Sequence, residues 1–217
     1  MSIGPDDLRQ RLDEMRRELE QLRTAASIEV REKLCNPAPL GLAGFGLTTL
    51  LLNIVNADLI PKESIGMVLP VGLFYGGMAQ FAAGMWEAKK ANTFGFTAFS
   101  SFAAFWLALG IMIILRDTEV MEPVPKNGMS VFLAGWGVFT AYMFIGTLKI
   151  SRALQVVFGT LVILFALLAW GERNETVLKV AGWEGILCAC SALYASAAQV
   201  INEAWGRYIV PLGIVKS

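Results

Sequence analysis

Asn36-Pro37-Ala38-Pro39-Leu40-Gly41-Leu42 marks the point where this chain changes character. Upstream, residues 6–34 are crowded with Glu, Arg and Leu. Downstream, almost every stretch of about 20 residues is apolar, the length a helix needs to cross a bilayer. The motif reads as a helix start. Asn36 is expected at the N-cap and Pro37 at the first helical position, where a missing N–H costs nothing. Pro39 still falls in the first turn, before the hydrogen-bond ladder needs its donor. Such a start leaves N–H groups free at the helix tip, and a tip of that kind attracts anions.

Outward on the N-terminal side, Leu8, Leu12, Met15, Leu19 and Leu22 recur at steps of four and three. That is the a/d seam of a coiled coil, and it fails at Glu29. About two heptads are too short to be stable alone, so the seam needs the rest of the protein to bring copies together. The other reading is an amphipathic helix lying on the membrane surface. The narrow stripe without aromatic residues favours the coiled coil. Residues 1–35 are therefore expected to form a cytoplasmic helix separate from residues 36–217.

On the C-terminal side six membrane spans are expected, at Ala38–Asn56 and about 65–86, 93–115, 129–148, 153–170 and 177–201. With 55% hydrophobic residues over 217 and a mean hydropathy of +0.56, the chain is read as an all-α integral membrane protein. Lys and Arg set the orientation. Lys89, Lys90, Lys149, Arg152, Arg207 and Lys216 fall on one side, against Lys62, Arg116, Lys126, Arg173 and Lys179 on the other. The tail breaks this near tie with Arg9, Arg11, Arg16, Arg17, Arg23, Arg31 and Lys33, which places both termini in the cytoplasm. The N-terminus carries no apolar signal-peptide region, so no cleaved leader is expected.

Composition excludes several functions. Formal net charge is zero, so nothing points to nucleic acid. There is no histidine, and Cys35, Cys188 and Cys190 lack metal-ligand spacing; no metal and no cofactor are expected. Neither a phosphate loop nor a nucleophile elbow is present, so the chain is not read as an enzyme. Glu87 and Glu203 are placed near the inner ends of their spans and Glu184 in the outer part of the sixth. This argues against a deep carboxylate that binds and releases a coupling proton. The interior polar residues are mostly Ser and Thr, which commonly pack between helices. Asn53, Gln80 and Gln199 cost more to bury and are stronger pore candidates. A faint repeat pairs Tyr75–Gln80 and Trp86 with Tyr194–Gln199 and Trp205.

Asn36–Leu42, continued as Ala43-Gly44-Phe45-Gly46-Leu47-Thr48-Thr49, resembles the signature of the acetate uptake transporter family, the YaaH or SatP-type succinate–acetate permeases. Phe74-Tyr75-Gly76-Gly77-Met78-Ala79-Gln80, Asn92–Phe99, Trp136–Thr140 and Gly146–Lys149 carry the same resemblance, which runs from about residue 36 to 213. It implies six helices around a pore, as in urea channels, and a homohexamer in the plasma membrane with one pore per protomer. It implies passage of acetate, with succinate and the choice between channel and proton-coupled symporter left open. The family's narrow point, a Phe, a Tyr and a Leu, falls on Phe45, Phe102 and Leu161, so a phenylalanine here replaces the tyrosine. The residues expected to meet the permeant are Asn36, Thr48, Asn53, Tyr75, Gln80, Asn92 and Gln199. The helix starts at Asn36 and Asn92, with Gln80, are expected to make a weak cytoplasmic carboxylate site. The competing expectation is a membrane sensor or assembly module that conducts nothing.

Overall fold

The computed structural model describes the backbone of residues 5–215 and the side chains of 9–26 and 34–215. Leu8 and Glu29 of the seam, and Arg31, Lys33 and Lys216 of the charge count, have side chains outside the described residues. The chain divides into two compact units, Met1–Asn36 and Pro37–Ser217. The first is one helix, α1 (Pro5–Lys33), on which Leu12, Met15, Leu19 and Leu22 are all exposed.

Among its described residues the second unit holds six helices long and apolar enough to cross a membrane: α2 (Ala38–Asn56), α3 (Lys62–Lys89), α4 (Thr93–Asp117), α5 (Lys126–Thr147), α6 (Arg152–Gly171) and α7 (Glu175–Ala204). These match the six expected spans, and α2 has the expected ends. Large apolar side chains such as Phe74, Val131, Val138, Ile145 and Trp170 point away from the bundle. In water that surface would be a liability; in lipid it is the solvated face.

One detail of the signature differs from expectation. The N-cap of α2 is Pro37, not Asn36, and no side chain caps it. The ladder opens with Gly41 N–H donating to Pro37 C=O at 3.2 Å.

Helix α3 is not uniform. A 3₁₀ turn at Lys62–Ser64 leads into α-helix at Ile65–Val71, and Gly72–Ala79 then widens into a π-helix before α-helix resumes at Gln80. Pro70 removes one donor from the ladder just before the widening. The glycines let this segment approach its neighbours closely. A Cβ on Gly76 would stand 2.9 Å from Thr48 Oγ1 and from the Trp106 ring.

Helices α2 and α7 pack along their length. Gly182 lies against the backbone of Asn56 and Ala57, Gly185 lies against the Asn53 amide, and Ser196 Oγ donates to Pro39 C=O at 2.7 Å. The C-terminal segment closes the start of α6. Arg152 N–H donates to Gly213 C=O and Ala153 N–H to Leu212 C=O, so that helix tip is already satisfied.

Candidate functional site: an occluded cavity and a buried carboxylate

Helices α2, α3, α4 and α6 enclose a cavity of about 20 Å³. Its wall includes Phe45, Phe102 and Leu161, the three residues expected at a narrow point, together with Leu42 of the signature and Gln80. Phe102 lies at the centre of an aromatic cluster, 5.8 Å from Phe45, 5.3 Å from Phe139, 6.1 Å from Phe158 and 6.2 Å from Trp136, ring centre to ring centre. A space of this size holds roughly one water. A hydrated carboxylate does not fit in it.

Gln80 is the polar group in that wall. It is 1% exposed, and its Oε1 has no hydrogen-bond partner. A buried amide oxygen left unpaired costs about 1–3 kcal/mol.

A second polar site lies where α3 ends and α4 begins. Asn92 caps α4 as expected: its Oδ1 accepts from Gly95 N–H at 3.1 Å. Its Nδ2 donates to Glu87 Oε2 at 2.8 Å. Glu87 is 2% exposed, and its Oε1 has no partner. The carboxyl lies over the first turn of α4, where a Cβ on Gly95 would meet Glu87 Cδ at 2.7 Å. The helix tip read from sequence as a site for a permeant thus already holds a carboxylate of the protein itself. Sequence reading set Glu87 aside as a residue near a span end. Its burial arises only when the α3–α4 hairpin closes.

The other expected contacts lie elsewhere. Thr48 Oγ1 donates to Gly44 and Phe45 carbonyls at 2.6 and 3.0 Å, and the residue faces Gly76. Asn53 donates to Thr49 C=O, accepts from Asn56, and is pressed against Gly185 between α2 and α7. Tyr75 is half-buried within the π-helix, and Asn36 stands one residue before the Pro37 cap. Gln199 donates to Ala195 C=O in its own helix. The repeated motifs also differ in setting: Gln80 walls the cavity, whereas Tyr194 is exposed and donates to Pro211 C=O. On the far side, a cleft of about 370 Å³ is lined in part by Asp58, Lys62, Arg116, Glu175 and Lys179. Lys179 Nζ sits 2.6 Å from Asp58 Oδ2, and this contact holds the Asp58 carboxyl below its usual value.

Six apolar spans, four of them lining an aromatic-walled cavity, define a class: a multi-pass helical membrane protein. Residues 20–212 match the model of the GPR1/FUN34/yaaH family, and the chain belongs to that family. It is 47% identical over 183 residues to the succinate-acetate/proton symporter SatP of Escherichia coli (strain K12), covering 83% of this chain and 96% of that protein. It is 34% identical to acetate permease A of Emericella nidulans, covering 86% of this chain and 68% of that one. The solved structure of the bacterial acetate channel SatP superposes with a TM-score of 0.81 at 47% identity, covering 83% of this chain and all of that one.

Proposed function

We propose that this protein carries acetate, and by the same route succinate, across the cell membrane. It acts by passage and not by catalysis, with one pore in each protomer of a homohexamer and both termini in the cytoplasm. The helix of residues 1–35 is a cytoplasmic appendage whose seam meets its copies in the assembly. Phe45, Phe102 and Leu161 form the constriction, and Gln80 and Asn92 are the polar groups that meet the permeant. The observation that carries this reading is the cavity itself. Phe45, Phe102 and Leu161 converge on it, in a chain nearly half identical to a succinate-acetate/proton symporter.

A ring of apolar side chains passes an ion only when it opens or when the ion sheds water, and one weak amide site allows binding without slowing release. Phe102 leaves that ring without a hydroxyl, and Gln80 is the one polar residue in the cavity wall. The test is labelled acetate uptake into liposomes containing the purified protein, with empty liposomes as control, at a pH where acetate is ionised. Uptake above the control is expected. A membrane sensor without a conducting path gives none.

A further inference from the structure

The Glu87–Asn92 pair can do more than close a hairpin. On α3 the buried residues Gln80, Ala83, Gly84 and Glu87 fall on one stripe, and on α4 Gly95, Ala98, Phe99 and Phe102 form the facing one. Both stripes begin at the cavity and end at the carboxyl. Seven helical steps lead from Gln80 to Glu87, roughly 10 Å at the α-helical rise. Glu87 therefore stands on the line that leads from the constriction to the start of α4.

Its chemistry there is unusual. The carboxyl accepts one hydrogen bond, from Asn92, and lies against the first turn of a 25-residue helix, where the dipole favours negative charge. The second oxygen is buried and unpaired. The helices packed on α3 here, α2 and α4, contain no charged side chain apart from Arg116 and Asp117 at the opposite end of α4. The nearby cations are Lys90, in the adjoining turn, and Lys89, whose Nζ lies 4.4 Å from the Trp86 ring centre. One amide donor and one helix tip suit one carboxylate. Two ionised carboxylates in so small a buried space repel strongly, and such a pair holds one proton between them.

Building on the acetate-transport reading, we propose that Glu87 is a tethered competitor of the permeant. It occupies the carboxylate site made by Asn92 Nδ2 and the tip of α4, and yields it when it takes up a proton. The exchange balances. Glu87 Oε gains a proton from water and becomes neutral, and the permeant carboxylate takes over the Asn92 hydrogen bond. The site keeps one negative charge throughout. One proton therefore enters with each carboxylate, and both leave together when Glu87 ionises and reclaims Asn92.

The test is equilibrium binding of acetate to the purified full-length protein by calorimetry between pH 6 and 9, where acetate itself stays ionised. For the wild type, affinity is expected to fall at least tenfold across this range, because Glu87 competes more strongly as it ionises. Glu87→Gln, neutral at every pH, is expected to bind with affinity constant within twofold. Glu87→Gln/Asn92→Ser keeps a capping oxygen but removes the donor where no ionised carboxylate competes for it, and is expected to bind acetate about 10- to 100-fold more weakly than Glu87→Gln, the range for a hydrogen bond to a charged group.

A flat wild-type profile overturns the competitor. So does a pH dependence that Glu87→Gln shares, or an affinity in Glu87→Gln/Asn92→Ser equal to that of Glu87→Gln. If Glu87→Gln fails to fold, the wild-type profile still decides. Absence of acetate binding at any pH, together with absence of uptake in liposomes, removes the transport reading itself. Binding with the wrong pH profile removes only the competitor.

Discussion

Leu161→Ala separates a pore wall from ordinary core. Leu161 is 3% exposed and borders a cavity of about 20 Å³. The change deletes three carbon atoms, which at ~0.8 kcal/mol per buried methylene is about 2.4 kcal/mol of lost transfer energy. The space left behind adds a further cost, and Leu→Ala in a packed interior costs about 2–5 kcal/mol in all. The lower half of that range is expected here, because the cavity is partly open and water can enter the enlarged space. The same water changes transport. If the barrier is the shedding of hydration, a permeant that keeps one extra hydrogen bond recovers about 1.5–3 kcal/mol. Each 1.36 kcal/mol is tenfold in rate, so acetate flux should rise roughly 10- to 100-fold, with weaker discrimination against succinate. The measurements are labelled acetate and succinate uptake in proteoliposomes, and the thermal midpoint in detergent. A stability loss of this size with flux and selectivity unchanged would refute the reasoning, since Leu161 would then be core and not gate.

Two further outcomes follow from the packing. At Gly182 a Cβ would stand 2.6 Å from Ala57 Cα and 2.7 Å from the Asn56 carbonyl carbon, backbone that cannot step aside. Gly182→Ala should cost about 1–3 kcal/mol, whereas Gly135→Ala, with nothing within 4 Å, should leave the thermal midpoint unchanged; equal midpoints would mean that α2 and α7 are not pressed together there. The Asp58 carboxyl is held below 3.8, first by the hydrogen bond from Lys179 and then by its charge. A lowered folded-state pKa adds stability that is present above the unfolded value and is lost as pH falls through the folded one. Asp58→Asn should therefore lower the midpoint slightly at pH 7 and not at all well below pH 3.8; a gap that persists in acid would show that the ion pair is not its source.

The number of spans, their ends and the family were legible in the sequence. Bilayer thickness and the need to satisfy every backbone group act along the chain in one dimension, so about 20 apolar residues between charged loops suffice. Phe45, Phe102 and Leu161 were singled out through the family resemblance, and the fold brings the three together at one cavity. The Asn92 cap was readable because capping is local, involving residues three apart.

Which polar side chain meets the cavity was not readable. Asn53, Gln80 and Gln199 look alike in sequence, each an amide in an apolar span. Only the rotation of each helix against its neighbours turns Gln80 to the cavity wall, Asn53 onto Gly185 and Gln199 back onto its own backbone. In α3 that rotation cannot be extrapolated from one end, because the π-helical turns of Gly72–Ala79 change the residues per turn just before Gln80. Glu87 depends on tertiary structure for the same reason. Near a span end a glutamate is read as solvated, and it becomes buried only when the α3–α4 hairpin folds Gly95 over it. A glycine there leaves room for a carboxyl, and that space exists between two helices, not along either one.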